Sequence, residues 1–175
     1  MRIAAPITLF ACLALALPAG AQARGGCAHA NASIAAAGGD GQAHAMLCLI
    51  NWARSSHGLR RLHASGPLRR AAERHSADMV RRRYFDHTGP RGDNPMRRVR
   101  RAGYHPGTLG ETIAYGDGSY GTAAMTVHGW LHSAEHRRIL LDPVLRDIGI
   151  GVAAGTPDPG AGDGGITVTA DLGRR

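Results

Sequence analysis

The chain is expected to fold as an α+β sandwich, and two features of its pattern predict this. Apolar residues recur at helical spacing through most of the chain, and two late runs alternate apolar residues with small or polar ones. Helices first and strands late argue for an antiparallel sheet rather than a parallel array of strand–helix–strand units. The length, 175 residues, suits one domain.

The first segment reads as a leader. Met1-Arg2 precedes an apolar run from Ile3 to Leu17, followed by Pro18-Ala-Gly and Ala21-Gln-Ala23, the charged start, apolar body and small-residue cleavage site of a signal peptide. Residues 1–23 are therefore expected to direct export, to a periplasmic or extracellular location; an uncleaved anchor helix is the alternative. No later apolar run is long enough to span a bilayer. Residues 24–42 are Gly/Ala-rich and are expected to form a flexible N-terminal arm, with the domain occupying 43–175.

Met46, Leu49, Ile50 and Ala53 place a first helix at about 43–57, ended by Gly58. Ser65-Gly-Pro67 starts a second, with Leu68, Ala71, Ala72, His75 and Met79 on one face as far as about Arg83. His75 on that face reads as a hydrogen-bonded core histidine in preference to a ligand. Asn94-Pro95 caps a short third helix closed by Gly103, with Met96 and Val99 inward and Arg97, Arg98, Arg100 and Arg101 forming a solvated basic face. Thr122 caps a helix to about His132, and Ser133 can cap another. Ile148, Ile150 and Val152 alternate with Gly149 and Gly151, and Ile166, Val168, Ala170 and Leu172 alternate with Thr167, Thr169 and Asp171. These two strands are expected to pair antiparallel, joined by a Pro/Gly/Asp loop at 156–165.

The formal net charge is +8, and every basic residue is Arg. Such a surface can attract anionic envelope polymers or lipid head groups. Nucleic acid is not an expected partner, because the Arg clusters lack interleaved aromatics. With Cys12 inside the leader, Cys27 and Cys48 remain, and an oxidising compartment favours a disulfide that ties the arm to the first helix; two free thiols are the alternative.

The densest chemistry lies in Trp130 to Leu140. His132-Ser-Ala-Glu135-His136 satisfies the H-x-x-E-H pattern of a zinc-peptidase helix, provided His132 and His136 share one helix face. A helix break at Ser133 would separate them. No Gly-x-Ser-x-Gly elbow is present, and Arg91-Gly-Asp93 is a turn tripeptide that chance readily supplies.

Several separated motifs agree in order. They are Leu49-Ile-Asn51-x-x-Arg54-x-x-His57-Gly58-Leu59, Leu68-x-x-Ala71-Ala72-x-x-His75-Ser76-x-x-Met79, Tyr84-Phe85-x-His87, Gly110-Glu111-x-Ile113-Ala114, Trp130-x-x-Ser133-x-x-His136-Arg137-x-Ile139-Leu140 and Ile148-Gly149-x-Gly151-Val152. From Met46 to Gly173 the sequence resembles the bacterial branch of the CAP superfamily, the cysteine-rich secretory, antigen 5 and pathogenesis-related proteins, also called the SCP domain. The resemblance implies a three-layer α-β-α sandwich with a central, mainly antiparallel sheet and a cleft of histidines and acids that can bind a divalent metal. By motif, His87 and Glu111 match the first His and Glu of that cleft, and His136 the second His. Ser133 stands where relatives place the second acid, with Glu135 as a neighbouring substitute. Thr112 replaces the usual Asn after Gly-Glu, and Leu172 stands where Phe is customary.

His87, Glu111 and His136 would supply two nitrogen ligands and one oxygen ligand, suited to zinc or another divalent metal with an open position. The same imidazole and carboxylate groups could do acid–base work without metal, and would be the catalytic set if the protein is an enzyme. Three functions follow as expectations. The first is a secreted, monomeric binding module for a lipid, an envelope component or another protein. The second is a peptide or cell-wall hydrolase using His87, Glu111 and His136, and the third a His/Glu cluster that only buttresses the fold.

Overall fold

The structure, a computed structural model, describes residues 26–161 and 164–175. The expected leader lies outside them. Five helices and four strands follow in the order α1 (Ile34–Ser56), β1 (His63–Ala64), α2 (Gly66–Arg82), α3 (Pro95–Arg101), β2 (Thr108–Gly116), α4 (Ala123–His132), α5 (Ala134–Leu140), β3 (Asp147–Ala154) and β4 (Ile166–Arg174), with a 3₁₀ turn at Gly118–Tyr120 before α4. The strands lie in the order β1-β3-β4-β2. β4 pairs antiparallel with both β3 and β2, and only the two-residue β1 runs parallel to its neighbour. The sandwich is thus three-layered with a mainly antiparallel sheet, as expected. Among the described residues no helix is long and apolar enough to cross a membrane.

Strand alternation assigns the two faces. Ile148, Ile150, Val168, Ala170 and Leu172 point to one side, where Met46 and Ile50 of α1, Val127 and Trp130 of α4 and Leu140 of α5 complete a buried core. Trp130 is 2% exposed, and its indole N–H donates to Ile113 O at 3.1 Å, holding α4 against the edge strand β2. The other face of the sheet carries Gly149, Gly151, Thr169, Asp171 and Glu111, and α2 covers much of it. A Cβ at Gly149 would sit 2.0 Å from the backbone nitrogen of Arg69, and one at Gly151 2.1 Å from that of Glu73. The glycine alternation in β3 is therefore what lets the α2 backbone lie directly on the sheet. Ser76 secures this contact by donating to Gly151 O and bonding the Thr169 hydroxyl.

Helix boundaries follow local chemistry. α2 has Pro67 in its first turn and ends at Arg83, which adopts the left-handed conformation with φ 57°. In α3, Asn94 accepts from the N–H of Arg97 at 2.9 Å, and in α4 Thr122 accepts from that of Met125 at 3.3 Å. At α1 the structure differs from expectation. The helix starts at Ile34, well upstream of residue 43, and passes through a non-helical Gly38 with φ 66°. Tertiary contacts account for the longer helix: Gln42 is buried and donates to Ala32 O at 2.5 Å, and the N–H of Ala124 donates to Ala30 O. The Cys27–Cys48 disulfide forms, tying the segment before α1 to the middle of that helix.

β1 and β2 had no strand pattern in the sequence. β2 is an edge strand rich in Thr and Gly, and its register with β4 pairs Thr108–Gly116 against Arg174–Ile166 throughout. Arg54, fully buried at the end of α1, donates to the carbonyls of Arg60, Leu140, Asp142 and Leu145, binding α1 to the end of α5 and the turn before β3.

Candidate functional site

The structure brings His87 and Glu111 together. Glu111 sits on β2 with its side chain 3% exposed, on the α2 side of the sheet; His87, in the loop after α2, is 48% exposed. The Nδ1–H of His87 donates to Glu111 Oε1 at 2.7 Å, leaving Nε2 directed away from the bond. The second carboxylate oxygen is taken by Arg98, whose guanidinium also donates to the carbonyls of His87 at 2.8 Å and Asp93 at 2.5 Å. One arginine thus fixes the carboxylate and the backbone of the residue bonded to it.

Arg98 corrects the sequence reading of α3. Arg97, Arg100 and Arg101 lie exposed, but Arg98 is only 6% exposed beside fully buried Val99. On a seven-residue helix the inward side is wide enough for a long side chain next to Val99 to cross toward β2. Its planar fork then matches the buried carboxylate.

Two further groups complete the cluster. Asp171, fully buried on β4, stands opposite Glu111 in the β2–β4 register, and neither of its oxygens makes a well-formed hydrogen bond. Burial, reinforced by the charge of Glu111, pushes its pKa well above the ordinary aspartate range. His75 is 2% exposed on α2, as its apolar face predicted. Its Nδ1 lies 3.4 Å from the Tyr84 hydroxyl, which itself donates to Asp78, and its Nε2 lacks a well-formed partner. Burial and then the charge of Arg98 lower the His75 pKa, while the charge of Glu111 and the Asp86 backbone act the other way.

Electrostatics set the states of the central pair. Burial alone would push the Glu111 pKa up, but the His87 hydrogen bond and the charge of Arg98 outweigh it, and the carboxyl is held below its ordinary value. The bond to Glu111 raises the His87 pKa against the opposing effect of desolvation. The result is an anchored carboxylate carrying a partly solvated imidazole.

His136 is half-buried on α5 and makes no hydrogen bond or ion pair to His87 or Glu111. The reason is visible at Gly110, whose Cβ position would meet Ile139 of α5 at 2.8 Å. The next residue, Glu111, points to the opposite face. Glu135 is exposed in the first turn of α5. The helix break falls at Ser133, with ψ 123°, although its hydroxyl accepts no capping bond. His132 consequently ends α4, donating from Nδ1 to His128 O and stacking on the His128 ring, and it shares no helix with His136.

As arranged, these residues do not fit a metal site. Both oxygens of Glu111 are engaged, His87 has one ring nitrogen to offer, and among the described residues no three His, Cys, Asp or Glu side chains gather around a common point. Two residues before His87 in the same loop, Phe85 belongs to a different feature. Phe85 and Tyr115 are 43% and 46% exposed, with ring centroids 4.9 Å apart in an edge-to-face pair.

The model of the cysteine-rich secretory protein family, CAP, matches residues 47–169. The chain is 34% identical over 103 residues to an uncharacterized protein, YkwD, of Bacillus subtilis, covering 59% of this chain and 39% of YkwD. It is 34% identical over 107 residues to an uncharacterized membrane protein, YlbC, of the same organism, covering 61% of this chain and 30% of YlbC. It therefore spans well under half the length of either relative. An SCP-domain extracellular protein of Bacillus anthracis superposes with a TM-score of 0.68 at 26% identity, covering 78% of this chain and 41% of that one. An outer surface protein of Borrelia burgdorferi gives 0.64 at 21% identity, covering 74% of this chain and 90% of that one.

Proposed function

Because the chain belongs to the cysteine-rich secretory protein family, CAP, we propose that it is an exported binding module whose recognition surface is His87 with the aromatic pair Phe85 and Tyr115. The carrying observation is a solvated imidazole held by a buried carboxylate of β2, with an exposed aromatic pair formed by Phe85 of the same loop and Tyr115 of the same strand. Such a surface offers a polar anchor and an apolar wall, which suits an amphipathic ligand such as a lipid or another envelope component. Export is supported by the leader pattern, the disulfide, and similarity to proteins described as extracellular or outer-surface.

The test is mass spectrometry of lipids that co-purify with the protein from its exporting host, followed by rebinding of the species found. Phe85→Ala/Tyr115→Ala and His87→Ala should each lose the ligand while still folding cooperatively. A ligand retained by both variants would refute the assignment. The 2.7 Å bond between His87 and Glu111 supports a second reading, acid–base hydrolysis of peptide or cell-wall material. Hydrolysis that disappears in Glu111→Gln with the fold intact would place that reading first.

A further inference from the structure

A cavity of about 450 Å³ opens between α2, α3 and the 84–93 loop, and His87 is not among the residues that line it. Arg74, Arg81, Arg82, Arg91, Arg98 and Arg101 line it. Two aspartates also do so: Asp78 is shared by Arg81 and Arg82, and Asp93 pairs with Arg101. Arg74 and Arg91 have no ion-pair or hydrogen-bond partner among the described residues. The walls therefore hold more positive charge than their own carboxylates neutralise.

Surface arginines alone would make only a basic patch, but these arginines converge on one concave volume whose inner wall is formed by buried residues. His75, 2% exposed, and Arg98, 6% exposed, line it from below. Several planar guanidinium forks around one volume are best matched by a tetrahedral anion with three or more oxygens, since a carboxylate offers two. The cavity also exceeds the size of a bare oxyanion, leaving room for the group that carries it.

We propose that this cavity is a binding site for a phosphate-bearing ligand, with Arg74 and Arg91 as its unpaired cationic arms and His75 and Arg98 as its floor. The cavity shares His75 and Arg98 with the cluster behind His87, but His87, Phe85 and Tyr115 do not line it, so the proposal does not depend on the reading given for that surface. Phosphate borne by a soluble molecule and phosphate in a lipid head group present the same chemistry, and two probes distinguish them.

Inorganic phosphate is titrated into the full chain by calorimetry at constant ionic strength, and vesicles of phosphatidylcholine with or without phosphatidylglycerol are tested by flotation. Arg74→Gln/Arg91→Gln removes the two unpaired arms, both on exposed positions that the fold does not use. Arg61→Gln/Arg100→Gln removes equal charge elsewhere on the surface. The first pair should weaken phosphate binding by about tenfold or more, given two lost charge-assisted contacts, and the second by less than about twofold. Phosphate binding without vesicle binding identifies a soluble ligand. Phosphatidylglycerol-dependent flotation that phosphate competes away, with the same Arg74/Arg91 dependence, identifies a head group. Equal losses in the two double variants, or no binding of either probe to the native chain, overturn the proposal.

Discussion

Replacing Arg98 by Met tests the central claim that one buried guanidinium organises the site. The side chains of Arg98 and Glu111 are 5% and 3% exposed, so Arg98→Met keeps the apolar stem and leaves a buried carboxylate short of one counter-charge. Breaking a buried pair from one side costs about 3–5 kcal/mol. The expected loss lies near the lower end, about 3 kcal/mol, because His87 still holds Oε1 and so shares the burden. Urea unfolding at neutral pH measures it, with Arg97→Met as the exposed control. The pH dependence adds a signed check. Glu111 has a depressed pKa, so its contribution is present above the ordinary carboxylate value and is lost as pH falls through the folded value. Its loss in Arg98→Met should therefore begin at higher pH than in the native chain. His87, with a raised pKa, stabilises below its ordinary value of 6.5 and loses that contribution as pH rises through the folded value. A loss under about 1 kcal/mol, no larger than that of an exposed pair, together with an unshifted acid limb, would refute the reasoning.

Gly149→Ala and Gly151→Ala should each destabilise strongly, by more than about 3 kcal/mol, since the added methyl meets the α2 backbone and not a movable side chain; a thermal transition within a few degrees of native would contradict the close contact. Asp171→Asn should cost little at neutral pH and should flatten the pH profile. An acid whose folded pKa is raised loses stability as pH climbs from its ordinary value of 3.8 toward the folded one, and Asn removes that slope. A native-like slope in Asp171→Asn would show that another group titrates there. Cys27→Ser/Cys48→Ser releases a link between residues 21 apart and should lower stability by about 3 kcal/mol by loop entropy, measurable as a shift in the urea midpoint against the oxidised native chain.

The parts of this fold that were legible in the sequence are those where burial and periodicity coincide. α2 has one apolar stripe, a proline at its start and a single face against the sheet, so its expected span and its observed span nearly agree. β3 and β4 alternate cleanly, and their antiparallel pairing follows. β2 was not legible, because Leu109, Ile113, Ala114 and Tyr115 do not alternate cleanly with polar residues along this edge strand, which is specified by its partner β4. The early turns of α1 were hidden for a related reason: Gly38, Gly39 and Gly41 mask a helical tendency that the disulfide and the Gln42 contact supply from outside the segment.

The site divides along the same line. His87 and Glu111 could be located because motifs mark them, whereas Arg98 and Asp171 could not, since each occupies a position whose local pattern reads as solvent-facing. For Asp171 the signal was present in combination. Thr167, Thr169 and Asp171 form the polar side of β4, and in a sheet open on one face they would meet water. In a three-layer sandwich that side is interior, and all three are fully buried. The glycines of β3 carry the deciding information, because Gly149 and Gly151 share that face and leave room for the backbone of α2 and for no layer of water. An acid opposite Glu111 and under such a helix has to be buried, and burial beside a carboxylate raises its pKa. Arg98 has no comparable signal, since nothing in Pro95–Arg101 separates it from Arg97 until β2 and its carboxylate are in place.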